Sequence, residues 1–267
     1  MLHLLKIDLK KMTSYRTFWV VCGLYFVTLA FTTASGMEFL KWLTGTFEGF
    51  GAEVNLSRIP LYHFPDVWTN LVYFSGYLKI VLGIMVVISI TNEFTYRTLR
   101  QNVIDGLSRW EFLLSKILTN ALLSTISVTM VFVIALVTGL IYSPSLDWDH
   151  IVTDLEFFPA YFLEVFSFLS YALMLGIVVQ RSGLTIILLM LSKLIEFIIE
   201  VKVLDGLDII HQFLPMQSIS NFVPMPYARY AFQEIQDYIS IPALMIGLAW
   251  AGIFNYVAYL KLTRSDI

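Results

Sequence analysis

The chain has 267 residues, of which 58% are hydrophobic and 14% charged, with a formal net charge of −3. Its mean hydropathy is +0.75, and a soluble domain, normally about 25% charged, could not hide that much apolar side chain. A soluble enzyme, a disordered chain and a basic nucleic-acid binder are excluded, and the single cysteine, Cys22, excludes an internal disulfide and a cysteine metal cage.

What remains is an all-α polytopic membrane protein, one transmembrane domain over 1–267. The period-2 alternation of a lipid-facing barrel is missing, and helices satisfy their own backbone groups in lipid. Residues 1–16 place Leu2, Leu5, Leu9 and Met12 on one helical stripe, with Lys6, Lys10 and Lys11 elsewhere. That pattern predicts a short interfacial helix whose lysines meet anionic lipid; a plain positive flank that sets topology accounts for the same lysines.

Six apolar stretches follow, at about 17–36, 71–91, 113–142, 157–180, 183–200 and 240–260, each long enough to cross about 30 Å of hydrocarbon. Between the first two, residues 37–70 contain Gly45, Gly49, Gly51, Pro60 and Pro65 and read as an irregular loop. Residues 92–112 form a charged loop, and 143–156 carry Asp147, Asp149 and Asp154 but no Lys or Arg. In 201–239, Val203, Leu207, Ile210 and Leu214 recur at helical spacing, Pro215 ends that helix, and 227–238 suit a second short amphipathic helix.

Orientation follows from the cations. With the N-terminus inside, inside segments hold eleven Lys and Arg: Lys6, Lys10, Lys11, Arg16, Arg97, Arg100, Arg109, Lys116, Arg181, Lys261 and Arg264. Outside segments hold four: Lys41, Arg58, Lys202 and Arg229. This asymmetry predicts that both termini are cytoplasmic.

The chain contains no P-loop, no H-E-x-x-H and no G-x-S-x-G, and its four histidines are scattered. No catalytic, cofactor-binding or metal-ligating residue is expected. The informative segment is 92–112. Leu99, Val103 and Leu107 share a helical face, Glu93 with Arg97 and Arg97 with Asn102 lie within about a turn of each other, and Gly106-Leu107-Ser108 reads as a stop followed by a capped restart. A short amphipathic helix at the cytoplasmic surface is therefore expected.

The succession Glu93, Thr98-Leu99-Arg100, a turn, Ser108-Arg109 and an apolar run ending at Lys116 resembles the permease subunit of ABC-2 type transporters, also called type V ABC exporters. The likeness covers the whole chain, including the six spans, the N-terminal helix and the outside helices before the last span. Arg97 stands where a glycine is common in that family, and Asp105-Gly106 where a proline is common.

The resemblance implies that 92–112 is a coupling helix docked into a separate ATPase subunit. Two such ATPases, holding ATP and Mg, would work with two permease chains, the same or homologous. It assigns Glu93, Arg97, Leu99, Arg100, Val103 and Arg109 to the coupling surface. Glu93, Arg97 and Arg100 would make its polar contacts, and Leu99 and Val103 would fill the ATPase groove. The implied function is a non-catalytic exporter permease in the cytoplasmic membrane. The alternatives are a non-transporting structural subunit of an envelope complex and a membrane-embedded enzyme. The few polar residues in the spans favour an apolar or amphipathic substrate.

Lys79, Glu164, Lys193 and Glu196 fall inside spans, where each charge costs about 2.5–3.5 kcal/mol. Their shared depth predicts a neutral network of two cations and two anions, serving either as a packing lock or as a pathway lining. Trp19, Trp42, Trp68, Trp110 and Trp148 lie near predicted boundaries, as an interfacial belt would.

Overall fold

Backbone groups in hydrocarbon have no water to bind, and the chain meets that constraint with helices almost throughout. The computed structural model describes residues 2–47, 62–144, 146–203, 208–226 and 238–264, and no strand occurs among them. The helices are α1 (Leu2–Ser14), α2 (Arg16–Phe47), α3 (Asp66–Thr95), α4 (Thr98–Ile104), α5 (Arg109–Tyr142) and α6 (Trp148–Val152). They continue with α7 (Phe157–Val179), α8 (Ser182–Val203), α9 (Asp208–His211), α10 (Pro215–Ser220) and α11 (Ile241–Arg264).

Four segments are long and apolar enough to cross a membrane: Asp66–Thr95, Arg109–Tyr142, Trp148–Val179 and Ile241–Arg264. The pair Asp8–Ser14 and Arg16–Phe31, bent by 86°, makes a fifth if taken as one span. Hydropathy alone leads to six. The stretch left over is α8, whose 22 residues carry Lys193, Glu196, Glu200 and Lys202. Large apolar side chains face outward, among them Trp19, Leu24 and Phe31 on α2 and Leu184, Ile187 and Ile198 on α8. An outer surface of that kind suits lipid rather than water, and the protein is membrane-embedded.

α7 is the central helix. It packs on α3, α5, α8, α10 and α11, and Asn120 on α5 donates to the Leu169 carbonyl of α7 at 3.2 Å. One end of the bundle gathers α1, α4, the start of α5 and the last turn of α11, since Lys116 pairs with Asp8 and Arg109 reaches the Leu262 carbonyl. At the other end Trp68 of α3 donates to the Ile151 carbonyl of α6 at 3.0 Å.

Several boundaries differ from the sequence reading. Helix α2 runs on to Phe47 and α3 begins at Asp66, so both ends of the expected 37–70 loop are helical; residues 48–61 lie outside the described residues. The helices run past the hydrophobic windows through mixed polar and apolar residues, such as Glu38 and Lys41 on one side and Asp66 and Asn70 on the other. Pro215 starts α10 instead of ending a helix, because a proline at the first helical position forfeits no intrahelical bond. The helix expected over 227–238 falls almost wholly on residues outside the described set. Trp68, expected in the belt, is fully buried against Phe64, Phe132 and Phe158, whereas Trp19, Trp110 and Trp148 are exposed. The side chain of Trp42 is outside the described residues, as are those of Leu2 and Leu5.

Candidate functional site

The segment between α3 and α5 forms by local rules. α3 ends at Thr95, and Arg97 adopts a left-handed conformation with φ 55° that turns the chain into α4. Gly106, with φ 97°, then stops α4, a conformation that costs glycine nothing. Ser108 opens α5 with a reciprocal capping box: it accepts from the Glu111 amide at 3.2 Å, while Glu111 accepts from the Ser108 amide at 2.9 Å. The stop and restart expected at 106–108 are present.

The side chains are sorted differently from the expectation. Arg97 and Arg100 are exposed, as are Gln101 and Ile104. Leu99 is buried at 1% exposure, and Val103 and Leu107 pack on the same core. The apolar stripe of α4 is thus spent on this chain's own interior, and Leu99 is not on an outward face. Glu93 is also turned inward. It accepts from Lys116 at 3.2 Å, from Lys11 at 3.5 Å and from the Thr98 hydroxyl, not from Arg97. Arg109 donates to the Leu262 carbonyl at 2.9 Å and to that of Thr263. A cation there satisfies carbonyls left open at the C-terminal end of α11.

Asp8, which the sequence reading passed over, completes this network. Buried at 4% exposure, it pairs with Lys116 and accepts from the Thr119 hydroxyl at 2.7 Å. A single lysine therefore joins α1, α3 and α5 through two carboxylates. The signal was available: Asp8 is the one acidic residue in the lysine-rich start, and it lies one helical turn before Met12, which is also buried.

The four charges expected to form one network inside the bundle split into two arrangements. Lys79 on α3 pairs with Glu164 on α7. Gly76 makes room for that pair, since a Cβ there would sit 2.9 Å from the Glu164 carboxylate. Glu196 instead accepts from the amides of Met216 and Gln217, at 2.6 and 3.0 Å. These are the first open N–H groups of α10 after Pro215, and a carboxylate is their natural acceptor. Lys193 donates to the neutral Gln217 Oε1 at 2.7 Å. Lys79, Glu164 and Lys193 line one cavity of about 430 Å³, bounded by α3, α7, α8 and the 216–225 segment. A hydroxyl cluster of Tyr25, Ser127 and Tyr161 ties α2, α5 and α7 in the core; no sequence pattern singled it out.

Residues 53–267 match the family model described as "Protein of unknown function (DUF2705)". The chain belongs to that family. No curated protein matches the chain significantly. The matched DUF2705 region holds α4, the capping box and all four charges set within the bundle. Asp8 and Lys11 precede it, so α1 enters the network from outside the matched region.

Proposed function

We propose that this chain is the membrane-embedded permease subunit of an ATP-driven exporter, energised by a separate ATPase that docks on α4. The observation that carries the reading is the geometry of α4. Arg97, which stands where the ABC-2 permeases commonly have glycine, occupies a left-handed φ of 55°, the conformation in which glycine is the default residue. A left-handed backbone at a position where glycine is common in those permeases supports the reading. The segment is held rigidly, by the capping box on one side and the Glu93–Lys116–Asp8 network on the other. A rigid surface helix tied to two long helices can pass a push into the membrane.

On this reading α8 is the sixth span, and the α4 end, with both termini, faces the cytoplasm, as the positive-inside asymmetry indicates. Two permease chains serve two ATPases. The exposed Arg97 and Arg100 make the polar contacts; Glu93, Leu99 and Arg109 act behind them by holding α4 and α11 in place.

The test is gentle purification of the tagged chain from its native membrane, with mass spectrometry of retained subunits and an ATPase assay. An ATP-binding subunit in one-to-one ratio is expected, and Arg100→Glu should leave insertion and melting unchanged while abolishing coupled hydrolysis. A chain that comes without an ATPase, or a variant that hydrolyses normally, sinks the assignment.

A further inference from the structure

The cavity within the bundle has the charge of a binding site. Its three charged lining residues sum to plus one: Lys79 and Glu164 cancel, and Lys193 is answered by a neutral amide oxygen. Glu196, on the next turn of α8, does not line the cavity and is already shared between two backbone amides. Lys193 is exposed, and Glu196 and Glu200 on the same helix balance part of its charge, but neither carboxylate forms an ion pair with it among the described residues, which leaves the ammonium open to an anionic group in the cavity. The volume of about 430 Å³ suits a small ligand or a head group.

Among polar neighbours such as Ser192, Ser220 and Asn221, the apolar part of the wall comes from Phe168, Leu189 and three methionines, Met190, Met216 and Met225. Methionine adapts its shape to irregular chains. Tyr77, Met190 and Met225 at the rim are exposed, so the site gives onto the apolar outer surface. The hydroxyls of Tyr73 and Tyr77, 2.9 Å apart, stand at the same cavity as further donors.

We propose that this cavity binds an amphiphilic molecule with an anionic head group, its phosphate or carboxylate on Lys193 and its apolar part along the methionine wall. Binding is a property of this chain alone, so it stands or falls separately from any ATPase.

The test uses the full chain in nonionic detergent and native mass spectrometry. The probes are phosphatidylglycerol, phosphatidylcholine and inorganic phosphate. One phosphatidylglycerol retained per chain in preference to phosphatidylcholine is expected. Lys193→Gln should weaken retention about tenfold or more, Lys193→Arg should preserve it, and lipid-free melting should be unchanged. Met225→Trp, which narrows the rim from an exposed position, gives the same loss by a second route. Equal retention of the two lipids overturns the proposal, as does undiminished binding to Lys193→Gln. Competition by inorganic phosphate at the lipid's own concentration overturns the amphiphile in favour of a free anion.

Discussion

Two groups of charges sit inside this protein, and they are built on opposite plans. At the α4 end, Lys116 is enclosed with Asp8 and Glu93, and hydroxyls from Thr98 and Thr119 complete the carboxylates. Farther along the bundle, Lys79 and Glu164 pair beside a cavity, while Lys193 faces it hydrogen-bonded to an amide, with Glu196 and Glu200 nearby on its own helix but not in contact. A closed, fully hydrogen-bonded network ties α1, α3 and α5 into one unit. An open one leaves charge for something else to meet. Burial and the count of partners around each cation separate the two together: Lys116 is buried between two carboxylates, and Lys193 is exposed with none in contact.

The comparison is broken first at Lys116. Lys116→Met leaves two carboxylates buried around a lost cation, and a destabilisation of about 3–5 kcal/mol is expected, read as loss of detergent-stable protein or a large fall in melting temperature. Adding Asp8→Asn should recover part of it, with a coupling above about 1 kcal/mol. Strict additivity would show that the network is not a unit.

Glu164→Gln should cost less, about 1–3 kcal/mol, because Lys79 opens onto a cavity that admits water. Removing Lys79 as well, as Lys79→Met, should bring stability back toward wild type. If the double variant is worse than Glu164→Gln alone, the two do not form the pair described here. The smallest effect is expected at Ser108→Ala, about 1 kcal/mol, seen as faster amide exchange over 98–112 with little change in global melting. Unchanged exchange there would mean that the capping box does not hold α4.

Much of the candidate site was legible where its causes are local. Gly106 and Ser108 marked the turn because left-handed backbone and N-capping are properties of single residues. Lys79 and Glu164 were matched by depth along their spans. Depth did not show the direct partners of Lys193 and Glu196, because Pro215 starts α10 beside α8 and its open amides meet the Glu196 carboxylate, while Lys193 donates to Gln217. The stripe of Leu99, Val103 and Leu107 is apolar as the spacing predicts, and the resemblance assigns Leu99 and Val103 of it to a partner. A stripe on a short helix has no label saying which surface it meets, and this one meets its own core.

The sequence by itself determined the class of protein, the positions of the long apolar helices and the shape of the turn before α5. These follow from hydropathy, helix length and capping, which act within a few residues. Only the tertiary structure decided which charges meet. Asp8 and Lys116 are 108 positions apart, and Lys79 and Glu164 are 85 apart. Such pairs depend on how three or four helices pack, and their energy changes steeply over a few ångströms of approach.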